Sequence, residues 1–228
     1  MPKSRQKAAK DRVPVIKSSI QVSSLSNEVK QIFHSKSVQY ALVIVVITFI
    51  SFFPSLKNGF MQTWDDEKYV TSNPLIRELN GTHVLQMFTK QVNGSYVPLP
   101  LLTFAIEYKL FGDNPLPFHA TNLILHILCT LLAFKLLRLL KIDLTYAAFG
   151  ALLFGVHPMR VESVAWISER KDVLYSLFYL GSIIAYIRYL AEPQKNRKFL
   201  IYSILLFLGS LFSKIEAVTL PLSLLLVD

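Results

Sequence analysis

The apolar residues of this chain come in long uninterrupted runs rather than at the spacing of a soluble core. Val38 to Leu56 contains no charge over 19 residues, enough to cross a hydrocarbon core at about 1.5 Å per residue. A cleaved signal peptide is the competing reading. The preceding tail is too long for an n-region, the apolar run is too long for an h-region, and no A-x-A site follows. The pattern predicts a retained first span. Further spans are expected at Asn114–Phe134, Leu144–Met159, Val173–Ile187 and Phe199–Ser213. A sixth begins at Ala217 and is still running at Val227. The third to fifth are shorter than a usual span.

Between the first two spans lies a polar stretch, residues 57–113, with internal pattern. "THVLQMF" places Val84, Leu85 and Phe88 on one helical face, and "LPLLTFAIEYKLFG" is apolar apart from Glu107 and Lys109. Both are expected as helices lying in the membrane interface, with a short transmembrane or re-entrant segment as the alternative for the second. The partition is then a tail at 1–37, a first span at 38–56, a loop at 57–113 and the remaining spans at 114–228. The fold class predicted is an all-α polytopic membrane protein. The chain's ending within or just after a span reads as an N-terminal fragment of something longer.

Composition agrees: 52% of the 228 residues are hydrophobic, more than a soluble domain carries. The net charge of +9 could suggest nucleic acid, but its placement argues against that. Eight Lys and Arg face only Asp11 and Glu28 in residues 1–37, and no aromatic platform accompanies them. A basic tail before a first span, with Lys135, Arg138 and Lys141 and later Arg188, Lys195, Arg197 and Lys198 between spans, follows the positive-inside rule. The N-terminus is expected in the cytoplasm, in a bacterial inner membrane or the endoplasmic reticulum membrane. Both acid-bearing loops then fall outside. The lone Cys129 gives no disulfide framework.

The acids are the unusual feature. "FMQTWDDEKYVTSNPLI" sets Trp64, Asp65, Asp66 and Glu67 directly after the first span, and "HPMRVESVAWISERKD" sets His157, Arg160, Glu162, Trp166, Glu169, Arg170, Lys171 and Asp172 after the third. Lys214 and Glu216 follow the fifth. His119, Asn122 and His126 share one face of the second by their three- and four-residue spacing. Carboxylates, cations and aromatics at an outer membrane surface suit sugar transfer from a lipid phosphate to a hydroxyl. A carboxylate serves as general base, and Arg or Lys stabilises the departing phosphate. Each group also has a plainer reading. The paired acids could be a solvated loop, the histidine face interhelical hydrogen bonding, His157–Pro158 a helix end, and Arg170–Lys171 interface anchors. A metal held by His157 with Glu162 is weakly suggested, since the spacing is not diagnostic; the reading requires no cofactor and leaves room for a divalent cation. Asn80 and Asn93 begin "NGT" and "NGS", which are glycosylation sequons if they face outward. A transporter or flippase would need polar groups deep in several spans, where this chain is mostly apolar. A scaffold presenting repeats to partners is the third class.

The blocks "WDDEKYVTSNP", "YVPLPLLTFAIEYKLFGDNPLPFHATNLILHIL", "ALLFGVHPMRVESVAWISERKDVL" and "SKIEAVTLPLSLLLVD" together resemble the N-terminal membrane half of the transmembrane and tetratricopeptide-repeat O-mannosyltransferase-like family. The resemblance runs from about Asn58 to Asp228. It implies a helical bundle similar to the C-type integral-membrane glycosyltransferases, with a large first extracytoplasmic loop carrying interface helices. It also implies a polyprenyl- or dolichyl-phosphate sugar as donor and a protein Ser/Thr or other outer-face hydroxyl as acceptor. By that resemblance Asp65 or Asp66 is the acid-base candidate, with Glu162 and Arg170 supporting donor or acceptor. Trp64, His119, His157, Arg160, Trp166, Lys171 and Lys214 complete the expected binding set. Ile215 follows Lys214 where the family often has Glu or Pro.

Overall fold

The computed structural model describes residues 35–194 and 196–227. The basic tail of residues 1–34, Lys195 and Asp228 lie outside the described residues, and with them most of the expected cytoplasmic anchor. Among the described residues, the regular elements are all helical, and the packing below concerns the unit Tyr40–Asp228.

Helix α1, Lys36–Phe52, runs into a 3₁₀ turn at Phe53–Lys57, where Pro54 removes a backbone donor. Ile44, Thr48 and Phe52 recur every fourth residue and are buried, whereas Leu42, Val46 and Ile50 are exposed. A stripe of exposed aliphatics is costly in water and favourable in lipid. Helix α5, Pro115–Leu139, is 25 residues long. It starts cleanly because Asn114 Oδ1 accepts the Leu116 N–H at 3.1 Å and Pro115 needs no donor partner. Helix α8, Arg170–Ala191, follows a 3₁₀ turn at Ile167–Glu169. These three segments are long and apolar enough to cross a membrane.

Of the other two expected full spans, Leu144–Met159 is shorter in the structure and Phe199–Ser213 starts and ends two residues earlier. Helix α6, Leu144–Val156, has 13 residues and α9, Arg197–Leu211, has 15. Thirteen residues rise about 20 Å, less than the ~30 Å hydrocarbon core. Pro158 ends the α6 direction, and a 3₁₀ turn at Pro158–Arg160 leads to the five-residue α7, Val161–Ala165. The chain closes with α10, Leu220–Leu225. Conversely, α5 runs past Phe134 to Leu139 and α8 runs past Ile187 to Ala191. A helix persists beyond the first basic residue because Arg138 and Arg188 suit its negative C-terminal end.

Small residues set the close contacts. A side chain at Gly155 would collide with Thr130 Cγ2 at 2.8 Å and Thr48 Oγ1 at 2.9 Å, so α6 meets α1 and α5 only with glycine there. Helices α8 and α9 run antiparallel. Ser182 Oγ donates to Ser203 O at 2.8 Å, and Ser203 Oγ returns the bond to Ser182 O at 3.1 Å.

The stretch 57–113 is a folded cap with its own core. Asn73 caps α2, Pro74–Arg77, and Asn80 caps α3, Gly81–Thr89, each through its side-chain oxygen. Helix α4, Pro98–Phe111, starts at a proline and is tied to α9 by Leu99 N–H donating to Phe212 O at 3.1 Å. Tyr69, Ile76, Met87, Leu101 and Phe104 pack with Phe118 of α5 and Ile167. Helix α3 buries Met87 fully, with Phe88 against the same core, and leaves Leu85 64% exposed. Residues 85 and 88 do lie on one side of a helix. Which side of the helix meets the core is set by tertiary packing, which local periodicity does not specify.

Candidate functional site

The acid motif lies where the cap meets the Ile167–Glu169 turn, and its two aspartates end in opposite environments. Asp66 is fully buried. Its Oδ1 accepts the Ser168 N–H at 2.8 Å and its Oδ2 accepts the Met61 N–H at 2.9 Å. Both carboxylate oxygens are therefore engaged in stitching the two acid-bearing loops together. Asp65 points the other way, with its side chain 31% exposed. Its Oδ1 accepts from Asn93 Nδ2 at 2.9 Å, and its Oδ2 lies 3.6 Å from Lys171 Nζ.

Arg170 and Lys171 divide in the same way. Arg170 is wholly buried. Its Nη1 reaches Glu107 Oε2 at 2.5 Å and Thr103 Oγ1 at 3.2 Å, its Nε reaches Asn122 Oδ1 at 2.8 Å, and its Nη2 reaches Phe118 O at 2.7 Å. The guanidinium also stacks on Phe104, 4.5 Å from the ring centre. Arg170, expected to contact donor or acceptor, is spent on protein groups and ties α4, α5 and α8 together. Lys171 instead lies 2.9 Å from Glu169 and 5.5 Å from the Tyr69 ring centre.

Lys171 and Glu169 line a cavity of about 450 Å³ with Lys214, Glu216 and the hairpin residues Gln91, Gly94, Ser95 and Tyr96. Lys214 Nζ is 2.5 Å from Asp172 and 3.5 Å from Glu216. Burial alone would lower the Lys214 ammonium's pKa, but its hydrogen bond to Asp172 and the charges of Asp172, Glu216 and Glu169 outweigh that. The net shift is upward, so the group stays cationic.

The remaining expected residues gather elsewhere. His157, Arg160 and Glu162 line a second hollow of about 540 Å³ with Leu153, Met159 and Ser163. Asp172 belongs to its wall too, accepting from Ser163 Oγ at 3.1 Å while holding Lys214. His157 Nδ1 accepts the Met159 N–H at 3.2 Å, and Arg160 sits 4.5 Å over the Phe154 ring. Glu162 is exposed on the first turn of α7. The structure therefore places Glu162 in this hollow with Arg160, and Asp65 beside the Lys171 of the other. Trp64 is 60% exposed and meets Trp166 edge to face, with ring centres 5.5 Å apart.

The face His119–Asn122–His126 points inward. Asn122 Nδ2 donates to Trp166 O at 3.0 Å, and His126 Nε2 pairs with Gly155 O at 2.8 Å. His119, expected to bind substrate, is buried and enclosed by protein. Among the described residues, no three His, Cys, Asp or Glu side chains gather in a way that could hold a metal ion.

Glu107, Tyr69 and Asn93 were not legible as site residues. Glu107 carried one signal, a lone acid in an apolar helix, which usually marks a buried partner. Asn93 stood out only as a sequon.

The chain is similar to curated proteins of one kind. It is 29% identical to a protein O-mannosyl-transferase of Caenorhabditis elegans over 203 residues, covering 83% of this chain and 28% of that protein. It is 32% identical to protein O-mannosyl-transferase Tmtc1 of Drosophila melanogaster over 182 residues, covering 76% of this chain and 21% of the relative. It is 44% identical to human protein O-mannosyl-transferase TMTC1 over 99 residues, covering 43% of this chain and 11% of the relative. The chain thus spans about a quarter or less of the length of these relatives. No family model matches, and no solved structure matches.

Proposed function

Because the chain belongs, over its matched membrane region, to the transmembrane and tetratricopeptide-repeat O-mannosyltransferase-like family, we propose that it forms the acid-bearing part of a membrane glycosyltransferase. The donor is a polyprenyl- or dolichyl-phosphate sugar, mannose in the first instance. The acceptor is a protein Ser or Thr hydroxyl. The observation that carries this reading is the division of the acid pair: Asp66 is consumed by two backbone donors, while Asp65 stays half-open beside a cation.

Asp65 is the general base. It takes the proton of the acceptor hydroxyl as that oxygen attacks the anomeric carbon. The bond from that carbon to the phosphate oxygen breaks, the sugar inverts, and the lipid phosphate leaves as an anion. Such a base contributes roughly 10²–10⁴-fold. The cavity with Ser95, Tyr96, Glu169 and Lys214 offers mixed polar contacts suited to a peptide and sugar. The second hollow offers His157 and Arg160 beside the exposed Leu153 and Met159. That pairing of cation and apolar surface suits a phosphate on a lipid stem. Trp64, beside Trp166, is placed to stack on a sugar.

The test is transfer of labelled mannose from dolichyl-phosphate mannose to a Ser/Thr peptide by the membrane-embedded protein. The native protein should transfer, and Asp65→Asn should not, with insertion and thermal stability retained. Transfer at the native rate by Asp65→Asn would defeat the assignment.

A further inference from the structure

We propose that Asn93 is a positioning residue that orients Asp65 and couples it to the cavity-lining hairpin. This rests on the reading of Asp65 as base.

The backbone makes the site first. Asn93 and Gly94 both have positive φ, 51° and 73°, and close a two-residue turn in which Val92 and Ser95 pair with each other. Asn-Gly is the sequence such a turn favours, because asparagine tolerates the left-handed region and glycine is unstrained there. The turn is anchored to the acid motif by Tyr69, whose hydroxyl donates to Val92 O at 3.3 Å.

The side chain is then fixed by chemistry. Lys68 Nζ can only donate, and it donates to Asn93 Oδ1 at 3.0 Å. The amide nitrogen is thereby turned to Asp65 Oδ1, at 2.9 Å. Asp65 Oδ2 faces Lys171 at 3.6 Å. The carboxylate is thus held at one oxygen by a neutral donor and at the other by a cation, which sets its plane. The hairpin that supplies Asn93 also supplies Gly94, Ser95 and Tyr96 to the cavity wall. Asp65 adjoins that wall through Lys171, so the same turn shapes the wall and orients the base beside it. Charged groups facing Asp65 are Lys171 directly and Lys68 through the amide, with Glu169 beyond Lys171.

The experiment compares Asn93→Gly, Asn93→Asp and Asp65→Asn in the membrane-embedded protein, measuring kcat, KM and the pH–rate profile for mannosyl transfer. Glycine keeps the backbone conformation and removes only the amide. It should lower kcat on the order of tenfold to a hundredfold, the cost of a small misplacement of a reacting group, with KM within about twofold. Asn93→Asp keeps the size but sets a second carboxylate against Asp65. Its acid limb should move to higher pH, because like charge disfavours the ionised base. Both variants lose the sequon alike, so a difference between them reports on charge and not on glycosylation. Native kcat and an unmoved profile in both, with Asp65→Asn inactive, would overturn the role of Asn93. A fall in kcat for glycine with an unmoved acid limb for Asn93→Asp would also overturn it, as a purely structural turn would behave so. An active Asp65→Asn would instead overturn the assignment of the base beneath it.

Discussion

Two charged clusters lie side by side in this protein and differ in what is left over. In the buried one, Arg170 directs four hydrogen bonds at Glu107, Thr103, Asn122 and Phe118 O, and Asp66 accepts two backbone bonds. In the open one, Lys171 pairs with Asp65 and Glu169 while Lys214 pairs with Asp172, and Lys171, Glu169 and Lys214 line a cavity. The clusters are built from sequence neighbours, Asp65 beside Asp66 and Lys171 beside Arg170. One member of each pair is satisfied by the fold, and the other keeps capacity for a ligand. The member that holds structure is fully buried with each polar atom hydrogen-bonded by protein, whereas the other keeps part of its side chain open to a ligand.

The sharpest way to break that comparison is at Arg170. Arg170→Leu leaves Glu107 buried without its partner, which should cost about 3–5 kcal/mol. It would be seen as a collapse of folded yield and thermal midpoint in detergent. A stable Arg170→Leu protein that lost only transfer would move Arg170 into the reacting site. Asp66→Asn comes next. Losing the charge on a buried acceptor of two N–H groups should cost about 1.5–3 kcal/mol, read as a lowered midpoint. A full midpoint with lost transfer would exchange the roles of the two aspartates.

A smaller effect sharpens the open cluster. The pKa of Lys214 is raised in the fold, so the stability it gives is fully present below its ordinary value of 10.5 and is lost as pH climbs through the higher folded value. The native midpoint should therefore fall in strongly alkaline buffer, and Lys214→Met should flatten part of that fall. For a partly exposed pair the difference should be no more than about 1 kcal/mol. An identical alkaline slope in both proteins would mean that the Asp172 contact contributes nothing.

The helices α1, α5 and α8 were legible because uncharged runs of that length have few other uses. The inward face of α5 was legible too, since the spacing of His119, Asn122 and His126 needs only helical geometry. The division of each charged pair was not. Adjacent helical residues point about 100° apart, so neighbours must diverge, but which one turns inward depends on a distant partner. For Arg170 that partner is Glu107, 63 positions away. For Asp66 it is the Ser168 amide, 102 positions away. Local pattern contains neither. The resemblance treated Asp65 and Asp66 as equivalent and put Arg170 with the ligand-binding residues. Long-range hydrogen bonds distinguish the members of each pair.

The central claim is that Asp65 acts while Asp66 holds. It is tested most directly by measuring mannosyl transfer and thermal midpoint together for Asp65→Asn and Asp66→Asn in the membrane-embedded protein. The account predicts a transfer loss of roughly 10²-fold or more at an unchanged midpoint for Asp65→Asn, and a lowered midpoint for Asp66→Asn. Full transfer by Asp65→Asn, or an inactive Asp66→Asn of undiminished stability, would contradict it.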